Sequence, residues 1–265
     1  MPSLKKAIAI AKNSAKELFT YRLNFIVDVA ILPIILLINY YIWRTVYTYS
    51  ALNTIRGYTL QMLISYYVVE MFSSLLLWSN IDEQLANQIR KGKLTAQLLK
   101  PISLFERKFY GLAGSRIVNL IFQATPILII GIFFFGVRAS WMSLWFIPVL
   151  ALAYILCYLI IFITGTVAFW MQKVSGLVSL RRTIMSFLAG GFIPLTFFPV
   201  WFQNLSWFLP FQYTKFVQIN VFLGIYSVNE ILGIMLVQIV WIGLLYGVYK
   251  IVWRAGINKY TGVGQ

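Results

Sequence analysis

Long apolar segments constrain this chain more than any other feature of its sequence. A helix needs about 20 apolar residues to cross a hydrocarbon core about 30 Å thick, and six segments reach that length. The predicted spans are residues 23–43, 58–78, 116–136, 141–170, 183–202 and 231–252. Charged residues make up only 11% of the 265 residues, whereas soluble domains contain about a quarter. The sequence therefore predicts an all-α integral membrane protein with six transmembrane helices in one domain, residues 1–265.

The distribution of lysine and arginine predicts the orientation of these helices. Basic residues are enriched in the cytoplasmic loops of membrane proteins. With the N-terminus in the cytoplasm, all but four of the 22 basic residues fall on the cytoplasmic side. The exceptions are Arg44, Arg56, Arg138 and Lys215. We therefore expect a multi-pass membrane protein with both termini in the cytoplasm, and this distribution explains the net charge of +15 without a nucleic-acid partner.

The residue types that are missing exclude several kinds of chemistry. The chain has no histidine and one cysteine, Cys157, which excludes Ser-His-Asp and Cys-His catalysis, His-ligated zinc and an intramolecular disulfide. It has no G-x-x-x-x-G-K-[ST] phosphate loop, because Gly92-Lys93 is followed by Leu94 and lacks the upstream glycine. The sequence therefore indicates a non-catalytic conduit or scaffold that holds no metal or cofactor. Its energy would come from a partner or an ion gradient.

A basic amphipathic helix is predicted within residues 1–20, before the first span. Lys5, Lys12 and Lys16 share one face at helical spacing, and apolar residues fill another. Such a helix lies flat on the inner membrane surface with its lysines toward anionic lipid headgroups. It serves either as a topology anchor or as an elbow helix that also contacts a cytoplasmic partner.

The largest predicted cytoplasmic segment, residues 79–108, has the signals of two short helices. Asn80 can cap the first helix, whose acidic first turn and basic last turn match the helix dipole, and Gly92 can end it. A merely solvated loop is the alternative, but it would not need the apolar residues that recur here. We therefore predict a docking element for a partner. Its candidate contact residues are Ile81, Asp82, Glu83, Leu85, Ile89, Arg90, Lys93, Leu98 and Lys100.

An aromatic-rich stretch, residues 190–230, is predicted to form broken helices. Gly190-Gly191 and the prolines that follow rule out one straight helix, yet the stretch is too apolar for an exposed loop. Irregular backbone at membrane depth must be covered by protein or line a cavity. The stretch is either an aromatic belt at the outer interface or an outer gate over a translocation path. The candidate gate residues are Gly190, Gly191, Pro194, Phe198 and Trp201.

Two acidic residues, Asp28 and Glu70, lie inside predicted spans. A charge at the bilayer centre is costly, so Glu70, near the middle of its span, should face protein or a cavity. Asp28 follows Arg22 by six residues near the cytoplasmic end of its span, which favours a structural ion pair. Glu70 lies near the middle of its span, where a structural role and a place on the substrate path are both open.

The arrangement of these features resembles the permease subunits of ABC-2-type transporters, and in particular a bacterial branch of that family. The resemblance covers essentially the whole chain. It is carried by the basic N-terminal helix, the six spans, Ile89-Arg90-Lys91-Gly92-Lys93-Leu94, Leu98-Leu99-Lys100-Pro101, Gly190-Gly191, Pro194-Leu195, Phe198-Pro199, Trp201 and Pro210-Phe211.

This resemblance implies a bacterial cell-membrane permease that pairs with a second permease, identical or related, and with two copies of a cytoplasmic ABC ATPase. ATP and Mg would be bound by the ATPase and not by this chain. Residues 79–108 would contain the coupling helix, and residues 190–230 would form the re-entrant outer segment. The implied activity is export of an amphipathic, drug-like, lipid or peptide substrate.

Two other classes of function remain as alternatives. A stand-alone secondary transporter or channel would need no ATPase, although no inverted repeat with paired broken helices is visible. A membrane enzyme acting on lipid or isoprenoid substrates is disfavoured, because the chain lacks histidine and aspartate-rich clusters.

Overall fold

The computed structural model describes residues 22–137 and 140–260, together with residues 5, 6, 8, 9, 12 and 13. The regular elements within these residues are helical, and five helical stretches are long and apolar enough to cross a membrane. They are Ile31–Ser50, Leu60–Arg90, Leu104–Phe135, Trp141–Phe169 and Val228–Lys259. The prediction of an all-α membrane protein is confirmed, with five long apolar helices in the described residues.

The α-helices are numbered in chain order. They are α1 (Arg22–Ser50), α2 (Leu60–Leu77), α3 (Ile81–Arg90), α4 (Leu94–Leu98), α5 (Leu104–Asn119), α6 (Thr125–Phe135), α7 (Phe146–Thr166), α8 (Ser175–Leu188), α9 (Val200–Trp207), α10 (Phe216–Phe222) and α11 (Val228–Lys259). A π-helical turn occupies Leu120–Ala124, and 3₁₀ turns occupy Trp141–Trp145, Val167–Phe169, Leu195–Phe197 and Gln212–Thr214.

Helix α7 forms the centre of the bundle and α1 its periphery. Helix α7 contacts α3, α8, α10 and α11, and its side chains Leu156, Leu159 and Phe162 are buried. By contrast, only 11% of the apolar stretch of α1 is buried, because α1 packs mainly against α2 and α6. Most of the apolar surface of α1 is therefore free to meet lipid or another protein.

The third long helical stretch begins earlier than residue 116, where the sequence predicts it. The N-cap is Ser103, whose Oγ accepts a hydrogen bond from the Glu106 N–H at 3.2 Å. The first turns of α5 carry charged residues, so hydropathy alone does not assign them to the span. A π-helical turn precedes Pro126 in the same stretch, which fits the missing N–H of proline and the disturbed ladder around it.

The interval predicted as the fifth span, residues 183–202, is divided among several short elements. Helix α8 ends at Leu188, Gly190 takes a left-handed φ of 71°, and α9 begins only after Pro199. The Gly-Gly pair and the prolines thus break the helix, as the sequence predicts for residues 190–230. A crossing at this interval is not among the five long helices and stays a prediction.

The predicted interfacial helix, residues 1–20, lies outside the described residues except for six. Those six, Lys5, Lys6, Ile8, Ala9, Lys12 and Asn13, are helical. The side chain of Asp28, predicted to form an ion pair, also lies outside the described part of the chain.

Candidate functional site

Helix α3 forms at the positions predicted for it, but its N-terminus is held differently. Asn80 occupies the N-cap position without a capping hydrogen bond; its Oδ1 instead accepts from Arg182 at 3.1 Å. Ser79 Oγ takes the capping role, because it accepts from the Ile81 N–H at 3.1 Å. Gly92, with φ of 67°, follows the last turn of α3 as the sequence predicts.

Two ion pairs clamp the first turn of α3 to α8. Arg181 Nη2 lies 2.7 Å from Asp82 Oδ2, and Arg181 Nε donates to the same oxygen at 2.9 Å. The Asp82 side chain is 0% exposed. Arg182 Nη2 lies 2.9 Å from Glu83 Oε1 in a more open pair, and the Arg182 guanidinium sits over the Trp78 ring. We call these two pairs the α3–α8 clamp. Because Asp82 is fully buried, loss of the Arg181 charge would leave an uncompensated carboxylate inside the protein, which is strongly destabilising.

The structure places the apolar candidate contact residues of α3 inside the chain. Ile81, Leu85 and Ile89 are buried, and α3 packs against α7 and the 3₁₀ turn after it. Leu94, which opens α4, is buried as well. A partner would therefore meet other residues of this segment. The exposed residues of segment 79–108 are Asn80, Gln84, Asn87, Lys91, Lys93, Thr95, Ala96, Leu98, Leu99, Lys100, Pro101 and Ser103.

Arg90 ties the other end of α3 to the loop after α7. Its Nη1 donates to the Gln172 carbonyl at 2.9 Å, and its Nη2 donates to Asn87 Oδ1 at 2.6 Å. The helix is thus held at both ends by arginine side chains. These side chains connect α3 to α8 and to the loop after α7.

Gly165 on α7 allows this close seating of α3. A Cβ at Gly165 would lie 2.9 Å from the Asp82 Cα and 3.0 Å from the Asp82 carbonyl oxygen. These are backbone atoms, so a side-chain rotation cannot relieve the clash. Glycine at this position is therefore a requirement of packing rather than of backbone conformation.

Replacing Gly165 with alanine is expected to destabilise the protein by about 1–3 kcal/mol, because the new methyl group overpacks the α3–α7 contact. Thermal unfolding in detergent measures the effect as a lower Tm. Gly243→Ala is the matched control, since a Cβ there meets nothing within 4 Å and alanine favours the helix of α11. Equal Tm values for the two variants would contradict tight seating of α3.

Glu70, near the middle of α2, is paired with Lys215. Lys215 Nζ lies 2.6 Å from Glu70 Oε1 and donates to Ser74 Oγ at 2.7 Å. Ser74 Oγ donates in turn to Glu70 Oε1 at 2.6 Å. The basic-residue distribution places Lys215 in an outer loop, yet its side chain reaches Glu70 within the bundle. We call Glu70, Ser74 and Lys215 the α2 triad.

The turn at Gly190-Gly191 is fixed to the same helix by two tyrosines. Tyr66 donates its hydroxyl to the Gly190 carbonyl at 2.6 Å, and Tyr67 donates to the Phe192 carbonyl at 2.9 Å. A Cβ on Gly190 would lie 2.8 Å from Tyr66 Oη. Glycine is needed at this position for its φ and for this contact.

The other candidate gate residues lie apart from the triad. Pro194 is buried. Phe198 stacks on Phe202, with ring centroids 4.5 Å apart. Trp201 is exposed. The structure therefore joins Gly190 to α2 and Gly191 to α8, whereas Phe198 and Trp201 belong to the aromatic surface around α9.

A small cavity of about 30 Å³ lies between the α3–α8 clamp and the α2 triad. Its wall includes Arg181 and Arg182 of the clamp, Ser74 and Lys215 of the triad, and Cys157. This volume holds about one water molecule. The clamp and the triad thus border the same small, partly open pocket, although they come from distant parts of the sequence.

Sequence reasoning missed Arg181, Arg182 and Lys215 as site residues. The two arginines count in the sequence only as cytoplasmic bases, because their partners precede them by about a hundred positions. Lys215 carried a usable signal: it is a lone base in an apolar stretch, and Glu70 is a lone acid in an apolar span. Two such charges tend to pair.

These elements define a multi-pass helical membrane protein in which α3, held by the α3–α8 clamp, and the partly buried Glu70–Lys215 ion pair border the same small pocket. A family model described as ABC-2 family transporter protein matches residues 30–264, which is most of the chain. The chain therefore belongs to the ABC-2 transporter family, and its membrane domain is that of an ABC transporter permease. Permeases of this family generally associate with an ABC ATPase. No curated protein and no solved structure matches the chain.

Proposed function

We propose that this chain is one permease of an exporter, working with a second permease, identical or related, and with two copies of a cytoplasmic ATPase. ATP and Mg would bind in the ATPase. The substrate class is amphipathic, drug-like, lipid or peptide. The largely exposed apolar face of α1 supports the pairing, because such a face at the edge of a bundle is available to a second permease.

The proposed location is a bacterial cell membrane, with an orientation that the distribution of basic residues supports. With α3, α4 and the start of α8 at the cytoplasmic side, both termini are cytoplasmic. Helices α8 to α10 would then complete a sixth crossing and a re-entrant outer segment. The left-handed Gly190 and the short helices that follow it fit such a segment.

The α3–α8 clamp is the observation that carries the proposed coupling mechanism. A helix that receives motion from an ATPase must be rigidly joined to the spans. Asp82 and Glu83 join α3 to α8, and α8 leads directly to the Gly190-Gly191 turn, which is bonded to α2. Motion of α3 would thus be transmitted through α8 to the outer segment, residues 190–230. On this route lies the small cavity between the clamp and the α2 triad.

The exposed face of α3 is then the docking surface. Gln84 lies near its middle and is exposed; Lys108 donates to its Oε1 at 3.1 Å. This face is polar, whereas the apolar face is used inside the chain. The ATPase would therefore meet amide and basic groups here rather than Leu85 or Ile89.

The test has two parts. The chain is first purified with its membrane partners, and transport by the wild-type complex is then compared with transport by the Gln84→Trp variant. We expect a stoichiometric nucleotide-binding subunit and ATP-dependent transport. We expect Gln84→Trp to reduce that transport about tenfold, because a bulky ring at the centre of the surface blocks docking, which is equivalent to about 1.4 kcal/mol. Gln84→Ala is the control, since it removes the same hydrogen bond without adding bulk. Wild-type transport by both variants would rule out this surface.

A stand-alone secondary transporter is the second candidate, favoured by the α2 triad. Ionisable side chains within a membrane bundle can serve proton or ion coupling, and the Glu70–Lys215 pair is of this kind. Reconstitution of the purified chain alone distinguishes the two candidates. Transport driven by an ion gradient without ATP would replace the exporter with this alternative.

A further inference from the structure

A second cavity, of about 90 Å³, lies between the α4–α5 connector and α11. Polar side chains of Gln97, Lys100 and Ser103 line one part of it, and Phe105 and Tyr249 line another. The two rings stack with centroids 4.4 Å apart. The volume equals that of about three water molecules, which is room for one phosphate group.

We propose that this cavity binds the headgroup phosphate of an anionic phospholipid from the cytoplasmic leaflet. The assignment of the leaflet rests on the orientation proposed above. The binding site itself needs neither the ATPase nor a transported substrate, so it can be tested separately from them.

The charge around the cavity favours an anion. Lys100 is part of the wall. Arg107 donates through Nη2 to Gln97, while its buried Nη1 has no hydrogen-bond partner. The acid facing this region is Glu106, whose carboxylate already accepts from Ser103 Oγ at 2.9 Å. Lys100 and Arg107 outnumber Glu106, whose carboxylate is already hydrogen-bonded, so the site has a net positive charge. Basic pockets at the inner membrane surface bind lipid headgroups.

The apolar rim indicates a lipid rather than a free anion. Leu98, in the wall, is partly exposed, and Leu99 beside it is 83% exposed. Trp253 of α11 also lines the cavity, and tryptophan is enriched where membrane meets water. A ligand that satisfies both the positive cavity and the exposed leucines carries a phosphate and acyl chains.

Such a lipid would join α4 to the last span. Thr95 of α4 already contacts Tyr260 at the end of α11, where the two hydroxyl oxygens lie 3.2 Å apart. Gln97 and Leu98 of the cavity wall belong to the same short helix as Thr95, and Trp253 of the wall lies about two turns before Tyr260. The headgroup therefore adds a second connection between the cytoplasmic segment and α11.

The experiment compares wild-type protein with Lys100→Gln in nanodiscs of phosphatidylcholine with and without phosphatidylglycerol. Native mass spectrometry counts the bound phosphatidylglycerol, and thermal unfolding measures stabilisation. We expect Lys100→Gln to bind phosphatidylglycerol about fivefold more weakly, which corresponds to the roughly 1 kcal/mol that one lysine contributes at an anionic surface. Lys173→Gln, an exposed lysine of another segment on the same proposed side, is the control and should bind as wild type does.

Two further measurements distinguish a headgroup seated in the cavity from general attraction of anions to a basic surface. Leu98→Trp narrows the cavity without changing charge, and we expect it to weaken phosphatidylglycerol binding too. Inorganic phosphate at millimolar concentration should give no comparable stabilisation. The proposal is overturned by equal binding in wild type and Lys100→Gln, by equal losses in Lys100→Gln and Lys173→Gln, by unchanged binding in Leu98→Trp, or by phosphate acting as well as the lipid.

Discussion

Replacing Arg181 with glutamine is expected to lower the stability of the folded chain by about 3–5 kcal/mol, because it leaves the Asp82 carboxylate buried without its counter-charge. For a chain of this size the loss corresponds to a fall in Tm of roughly 10 °C. Thermal unfolding of the detergent-solubilised protein measures it. We also expect less of the protein to reach the membrane in folded form.

The outer pair of the clamp provides the matched control. Glu83 and Arg182 have side chains that are 43% and 27% exposed, so Glu83→Gln should cost less than about 1 kcal/mol. In the double variant Asp82→Asn, Arg181→Gln the loss should be smaller than the sum of the single losses, because no charge remains unmatched. A small loss in Arg181→Gln, or strict additivity, would show that the buried pair does not hold α3 in place.

Replacing Glu70 with glutamine is expected to reduce transport by about tenfold or more while the protein stays folded. The α2 triad joins α2 to the residue before α10, and its hydrogen bonds are charge-assisted. Such bonds contribute about 1.5–3 kcal/mol each, enough to shift a two-state equilibrium of the bundle tenfold to a hundredfold. ATP-driven accumulation of an amphipathic fluorescent dye in inside-out vesicles measures the change.

Substitutions of Lys215 and Ser74 distinguish the contribution of the ion pair from that of the hydroxyl group. Lys215→Met should impair transport as strongly as Glu70→Gln, since either change removes the ion pair. Ser74→Ala should have a smaller effect, because the Glu70–Lys215 contact at 2.6 Å remains. Wild-type transport in Glu70→Gln would leave the triad with no part in the transport cycle.

Hydropathy was sufficient to locate the long helices but not all of their ends. The predicted span 58–78 corresponds to α2, and the predicted span 141–170 matches Trp141–Phe169. The start of α5 could not be found in this way, because Glu106, Arg107 and Lys108 make its first turns polar. Hydropathy reports the apolar length of a helix, whereas capping and tertiary contacts decide where it begins.

The position of α3 could be predicted from the sequence, but what its apolar face contacts could not. The sequence shows that α3 is amphipathic, and an amphipathic helix must cover its apolar face with something. It does not show whether a partner or the chain itself supplies the cover. Here α7 covers Leu85 and Ile89, and the approach depends on Gly165, which carries no signal in a hydropathy plot.

The position of Cys157 gives this protein a native reporter. It is the only cysteine in the chain, it is buried, and it lines the small cavity between the clamp and the triad. Because Cys157 is 3% exposed, a maleimide should react with its thiol faster when that space widens. The labelling rate of the unmodified chain therefore measures how often the interior is accessible, without any engineered cysteine and in the intact transporter.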